Sequence, residues 1–308
     1  MDSTVESLFG DLSNKLAEAP LLAGLNLPEW ARPSIRLVAR RAPVEKGVSR
    51  IGGEPDVPPG FEWPRWTPPV EPKRGLFGWL KKEPSAKSRP LGFIAQLDLS
   101  AIPRVNDSLP NSGWLYFFYD TEQQTWGFDP ADRGSCRIFY SDCDRSTLRR
   151  MAPPNDANPE FASRSCAVAA IPELTLPEEL SGVEYETPTY EAYQKLLAEL
   201  SHGKDTVSDT IHRLLGHPQP IQGEMELECQ HASNGINSGG VPLSEREIAR
   251  AKELESGAAD WRLLLQIDTD EEGPGWMWGD VGRIYFWILK QDLKALRFDN
   301  AWLVLQCC

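Results

Sequence analysis

Apolar spacing divides the chain into helical segments and a strand-rich body. Val5, Leu8, Leu12 and Leu16 recur at helical intervals behind Ser3-Thr4-Val5-Glu6, and Pro20 stops the element. That tetrapeptide has the form of a capping box, in which serine and glutamate side chains each satisfy a first-turn backbone N–H. Ser34 to Arg40 alternates apolar and polar residues and predicts a strand, and Ser49-Arg50-Ile51-Gly52-Gly53-Glu54-Pro55 follows as a Gly/Pro turn. Further strands are predicted near 92–98, 113–119 and 135–140. In the last third, Trp261 to Asp268, Arg283 to Leu289 and Ala301 to Gln306 are nearly continuous apolar runs, the pattern of strands covered on both faces. Pro188 opens a helix with Tyr190, Tyr193, Leu197 and Leu200 on one face and Gly203 past its end. Ser244-x-x-Glu247 is a second capping box, starting a helix that runs to about Glu255 with Gly257 beyond it. Residues 151–186 are Pro-rich and acidic, show no strong period, and are expected to cross the molecule irregularly.

Three blocks recur in one order. Ser49-Arg50-Ile51-Gly52-Gly53-Glu54-Pro55 matches His212-Arg213-Leu214-Leu215-Gly216-His217-Pro218; Phe93 to Asp98 matches Leu263 to Asp268; Gly113 to Phe118 matches Gly282 to Trp287. Gln96 to Gly113 spans 17 positions and Gln266 to Gly282 spans 16, while the preceding intervals from Pro55 and Pro218 are 41 and 48. Shared order and close spacing point to two copies of one supersecondary unit. Gln96 and Gln266 interrupt apolar runs at matching places. A buried glutamine needs partners for its oxygen and its N–H groups, so this pair is expected to bond to each other at a pseudo-twofold seam or to a turn backbone. The fold expected is α+β: mainly antiparallel β, two similar tandem repeats, peripheral helices. Residues 1–308 read as a single globule, with a helical segment at 1–30, one repeat over 34–142, a helix-bearing connector over 143–204 and a second repeat over 205–308. The first repeat is interrupted by a Pro-rich insertion at 65–90 that holds seven Lys or Arg against two Glu.

Charge narrows the classes of partner. Acidic side chains number 45 against 32 basic, a formal −13, which argues against a general affinity for nucleic acid or anionic lipid, since both need a cationic face. Apolar residues at 41% exclude wholesale disorder. The six cysteines at 136, 143, 166, 229, 307 and 308 form no C-x-x-C. No run reaches the ~18 apolar residues of a membrane span, and the first twenty residues lack a signal-peptide core. A reduced, cytoplasmic protein is expected.

Ile51-Gly52-Gly53-x-Pro55, Trp63-Pro64, Phe93-Ile94-Ala95-Gln96-Leu97-Asp98-Leu99, Gly113-x-Leu115-Tyr116-Phe117-Phe118-Tyr119, Gly279-Asp280-x-Gly282-x-Ile284-Tyr285-Phe286-Trp287 and Leu305-Gln306-Cys307 together resemble the YwqG-like family, a bacterial family of unknown function. The resemblance covers the chain from about residue 34 to its end. It implies a largely β, α+β globule of two similar halves and brings no established reaction. Some members resemble neighbours of polymorphic toxin genes, which implies an immunity-like, protein-binding role. The insertion at 65–90 is longer than the family pattern implies.

Candidate chemistry is sparse. Asp98 and Asp268 occupy matching strand ends, where they would either meet as a carboxylate pair or cap separate turns. Arg50 and Arg213 each precede a matching turn and could clamp a carboxylate, a phosphate or a turn of their own fold. Asp268-x-Asp270-x-Glu272-Gly273 begins like a calcium loop, but Pro274 and Gly279 stand where further ligands belong. The four histidines, 202, 212, 217 and 231, form no H-E-x-x-H, and neither G-x-S-x-G nor a phosphate-binding glycine motif occurs. No cofactor is expected. Trp63, Trp66, Trp126, Trp276 and Trp278 lie near loops and are candidates, with Gln96 and Gln266, for contact with a partner. Phe77 and Trp79 in the basic insertion are candidates for contact with a membrane surface. The function expected is non-enzymatic binding of another protein. The alternatives are a hydrolase-like enzyme using Asp98 or Asp268 with Arg50 or Arg213 in a cleft between the repeats, and a small-ligand or calcium-binding protein.

Overall fold

The computed structural model describes residues 3–69, 87–180, 182–201 and 210–308. Its strands are β1 (Arg32–Arg41), β2 (Arg50–Ile51), β3 (Asp56–Val57), β4 (Arg65–Trp66), β5 (Arg89–Pro90), β6 (Gly92–Asp98), β7 (Trp114–Tyr119), β8 (Cys136–Ser141), β9 (Arg149–Arg150), β10 (Cys166–Thr175), β11 (His212–Leu214), β12 (Trp261–Asp268), β13 (Arg283–Leu289) and β14 (Trp302–Gln306). The α-helices among the described residues are α1 (Ser3–Ala17), α2 (Leu27–Trp30), α3 (Pro188–Ser201), α4 (Glu226–Ser233), α5 (Glu245–Leu254) and α6 (Lys290–Lys294). None is long and apolar enough to cross a membrane.

Ten strands form one sheet in the order β14-β13-β12-β11-β1-β10-β2-β6-β7-β8, every neighbouring pair antiparallel. The sheet curls until its ends approach. The Leu305 N–H on β14 donates to the Trp126 carbonyl at 3.1 Å, and Phe117 on β7 meets Phe286 on β13 edge to face, with centroids 5.2 Å apart. The result is a nearly closed barrel around a core of Ile35, Leu97, Phe117, Leu264, Phe286 and Leu303. Outside it, α4 covers Trp261, Trp287 and Trp302, and Phe61 and Trp63 cover Phe93, Tyr116 and Phe118. Leu12 of α1 and Tyr193 of α3 pack together against Leu174 of β10. Cover on both faces explains why β6, β7 and β14 are buried from end to end, as their unbroken apolar runs predict.

The predicted strands at 34–40, 92–98, 113–119, 135–140, 261–268, 283–289 and 301–306 all form, within a residue or two. At Ser244 both halves of the capping box are present. The segment 151–186 departs from its expected irregularity. Cys166–Thr175 is a ten-residue strand at the centre of the sheet, paired with β1 along its whole length. The expected connector 143–204 therefore supplies a central strand. Each central strand lies next to the short strand that follows its partner: β1 beside β11, and β10 beside β2. Phe77 and Trp79 lie outside the described residues; the flanks of their insertion pair as β4 and β5.

Candidate functional site

The sequence candidates resolve into two matching internal networks. Arg50, fully buried on β2, donates to the Glu54 and Glu45 carbonyls and to the Asp56 carboxylate. Burial pulls its guanidinium down to about 10, against the opposing pull of Asp56. Arg213 on β11 donates to the His217 carbonyl at 2.9 Å and to Glu173 at 2.6 Å. Each fork thus holds the carbonyl four residues ahead and one buried acid. Gln96 accepts from the Asp56 N–H at 2.6 Å and donates to the Val48 carbonyl. Gln266 accepts from the Gln219 N–H at 2.9 Å and donates to the Ile211 carbonyl. Tyr116 and Tyr285 donate to the carbonyls of those same two residues, Asp56 and Gln219. Of the two expected arrangements for the glutamines, bonding to a turn backbone is the one observed, and both are fully buried.

Asp98 and Asp268 do not pair. Five antiparallel steps, β12-β11-β1-β10-β2-β6, separate their strands, and an odd number of steps reverses direction, so their C-terminal ends lie at opposite ends of the barrel. Asp98 takes the Ser100 N–H and hydroxyl and an ion pair with Arg145. Asp268 accepts the Ile211 N–H at 3.0 Å and pairs with Arg283 at 2.9 Å. The groups expected to line a cleft, Asp98 or Asp268 with Arg50 or Arg213, are engaged elsewhere: the two carboxylates with Arg145 and Arg283, the two arginines with turn carbonyls and with Asp56 and Glu173. Nor is the calcium loop assembled. Asp270 turns to His212 and to the Gly273 N–H, and Glu272 is exposed. Burial opposes the Asp270 charge, yet those two bonds hold its carboxyl below the usual range. His212 Nδ1 accepts the Asp268 N–H, so Nε2 carries the proton that faces Asp270. Among the described residues no cluster of His, Cys, Asp or Glu has the makings of a metal site.

The tryptophans divide. Trp276 and Trp278 are buried, with centroids 5.2 Å apart, and Phe161 stacks on Trp276 at 5.8 Å. They are core residues, unavailable to line a groove, because the loop after β12 folds back into the barrel end. Trp66 is buried too, with Arg89 over its ring. Trp63 and Trp126 are half-buried; Trp63 Nε1 donates to the Leu91 carbonyl.

The opposite end of the barrel holds a cavity of about 220 Å³ that the sequence candidates missed. It lies beneath residues 99–111, which connect β6 to β7. Its lining includes Ile35, Leu99, Val105, Leu109, Leu214 and Leu215. Exposed Arg104, Asn106 and Asn111 stand at its rim. A connection this long carrying Leu99, Ile102, Val105 and Leu109 was the available signal: no strand there needs those side chains, so they cover something. The carboxylates pushed furthest from their ordinary range lie elsewhere. Burial raises Glu228 to about 7 and Asp132 to about 6, and Asp132 accepts the Trp126 and Gly127 N–H groups that lead toward the β14 edge.

A model of the family described as Domain of unknown function (DUF1963) matches residues 49–307. No curated protein matches the chain significantly.

Proposed function

The chain belongs to the DUF1963 family, and from that premise we propose that it is a non-catalytic binding module whose cavity takes a group presented by another protein. The observation that carries this is the cavity beneath residues 99–111, walled by aliphatic side chains with a short polar rim, the form of a site that binds by burial and orients by a few polar contacts. The candidate catalytic groups are, by contrast, committed: Arg50 and Arg213 to their turns, Asp98 to Arg145 and Asp268 to Arg283. The hydrolase-like and calcium-binding alternatives have no observation in their favour.

We propose further that it is a YwqG-like protein of the cytoplasm, built from two tandem repeats that have exchanged their first strands. Support comes from the recurring Arg, Gln and Tyr bonds, from a register shift in β6 between Phe93 and Ala95 and in β12 between Leu263 and Leu265, and from positive φ at Gly52, Gly53, Leu215 and Gly216. The exchange moves the repeat boundaries, so that β1 and β10 become the matching first strands and the second repeat begins at about Cys166. Within the YwqG-like resemblance the binding role takes an immunity-like form.

A random-peptide display selection tests the binding role. Peptides selected on the parent chain should lose binding to a variant carrying Ile102→Trp, which fills the cavity. Selected peptides that all bind the filled variant as well as the parent would count decisively against the cavity.

A further inference from the structure

We infer that the group received by the cavity is an aromatic ring, carried by a tryptophan side chain of the partner; this step rests on the binding role above. The two ends of the barrel are built alike and finished differently. At one end Ile35, Leu214 and Leu215 form the floor, and residues 99–111, following β6, form the roof over empty space. At the other end Ile51 and Cys166 occupy the matching positions. Ile51 precedes Gly52 on a positive-φ turn as Leu214 precedes Leu215, and Cys166 pairs with Ile51 as Ile35 pairs with Leu214. The loop after β12 roofs that end, and it fills the space with its own rings. Trp276 and Trp278 pack into the core beside Phe161, and Pro274 closes over Gly52. The chain thus shows what satisfies this kind of barrel end, and the lining of the open end contains no aromatic ring of its own.

Size and polarity agree. A dry cavity of about 150 Å³ takes benzene, so one of about 220 Å³ suits a one- or two-ring group. Arg104, ion-paired to Asp107 at the rim, can present its guanidinium to a ring face. The Asn111 side chain, which hydrogen-bonds to nothing among the described residues, can accept an indole N–H.

Titration of the isotopically labelled full chain with N-acetyltryptophanamide, N-acetylleucinamide and free indole, followed by amide chemical shifts, tests the assignment. The tryptophan amide should give saturable shifts confined to 99–111 and the ends of β1 and β11. It should bind about tenfold more tightly than the leucine amide and more tightly than indole, which lacks the backbone that reaches the rim. The shifts should vanish in Ile102→Trp or, if that variant does not fold, in Leu109→Trp. Equal or tighter binding of the leucine amide overturns the aromatic assignment and leaves the cavity as a binding site. Equal or tighter binding of indole overturns a side-chain source in favour of a free aromatic molecule. Absence of saturable shifts with all three probes overturns the assignment and the cavity's binding role together.

Discussion

Replacing Gln96 or Gln266 by leucine keeps the volume of a fully buried side chain but strands the turn N–H and the carbonyl that it bonds. Each substitution should cost about 3 kcal/mol, the scale for two buried groups left unpaired, read by urea unfolding. A cost well under 1 kcal/mol at either site would mean that the turn finds other partners. Titrating groups act in opposite directions. Burial lifts Glu228 from 4.5 to about 7 and Asp132 from 3.8 to about 6. The folded state therefore holds protons that the unfolded chain has released, a contribution complete below the unfolded values and lost as pH rises through 6 to 7. His217 runs the other way. Burial, with Arg32 and Arg213 nearby, lowers it from 6.5 to about 3, so its contribution is complete above 6.5 and lost as pH falls toward 3. Glu228→Gln should accordingly raise Tm at pH 8 and match the parent near pH 4.5; a Tm unchanged at pH 8 would show that the ionised carboxylate is not penalised. The two arginine forks and the glutamine bonds were legible from the recurring blocks, because a polar residue inside an apolar strand must be satisfied. The fate of Asp98 and Asp268 was not, because spacing along the chain does not reveal at which end of the barrel a strand finishes.

At the scale of elements, glycine separates places with room from places without. A Cβ on Gly10, exposed in α1, meets nothing within 4 Å, whereas one on Gly92, at the start of β6, would run into the Phe161 ring. Gly10→Ala should stabilise by about 1 kcal/mol, and Gly92→Ala should destabilise by about 2 kcal/mol or more by displacing the aromatic plug. Matched thermal melts check the contrast, and equal effects would refute the packing of Phe161 against β6. Strands with continuous apolar runs were readable because both their faces are covered. Strand β10 was not. Its sequence, CAVAAIPELT, carries small residues, a glutamate and Pro172, and it becomes a strand only through pairing with β1. Proline is admissible there because β2 pairs only with Cys166 and Ala167 and the adjoining Ser49 carbonyl takes the Val168 N–H, so that the ladder along that edge of β10 ends before Pro172. The cavity under 99–111 left no periodic signal, since apolar residues between prolines carry no period; only the length and apolar content of that connection pointed to it.

Across the whole molecule, β1 and β10 tie the front and rear of the chain together, each lying between its partner and a short strand from the other portion. Cutting the chain at about residue 156 should therefore leave two fragments that fail to fold when expressed singly and form a 1:1 complex when expressed together. A soluble, cooperatively melting fragment 1–156 would contradict this mutual dependence of the two portions. The same arrangement bears on synthesis. The Thr175 hydroxyl bonds to the Arg32 carbonyl across 143 positions, so β1, once synthesised, waits roughly ten seconds for its neighbour at ordinary elongation rates. Throughout that interval the nascent amino-terminal half carries an unpaired strand with Ile35 and Leu37 uncovered. A chaperone that shields such a strand, or a pause that prolongs the wait, would then govern how much of this protein reaches its native state.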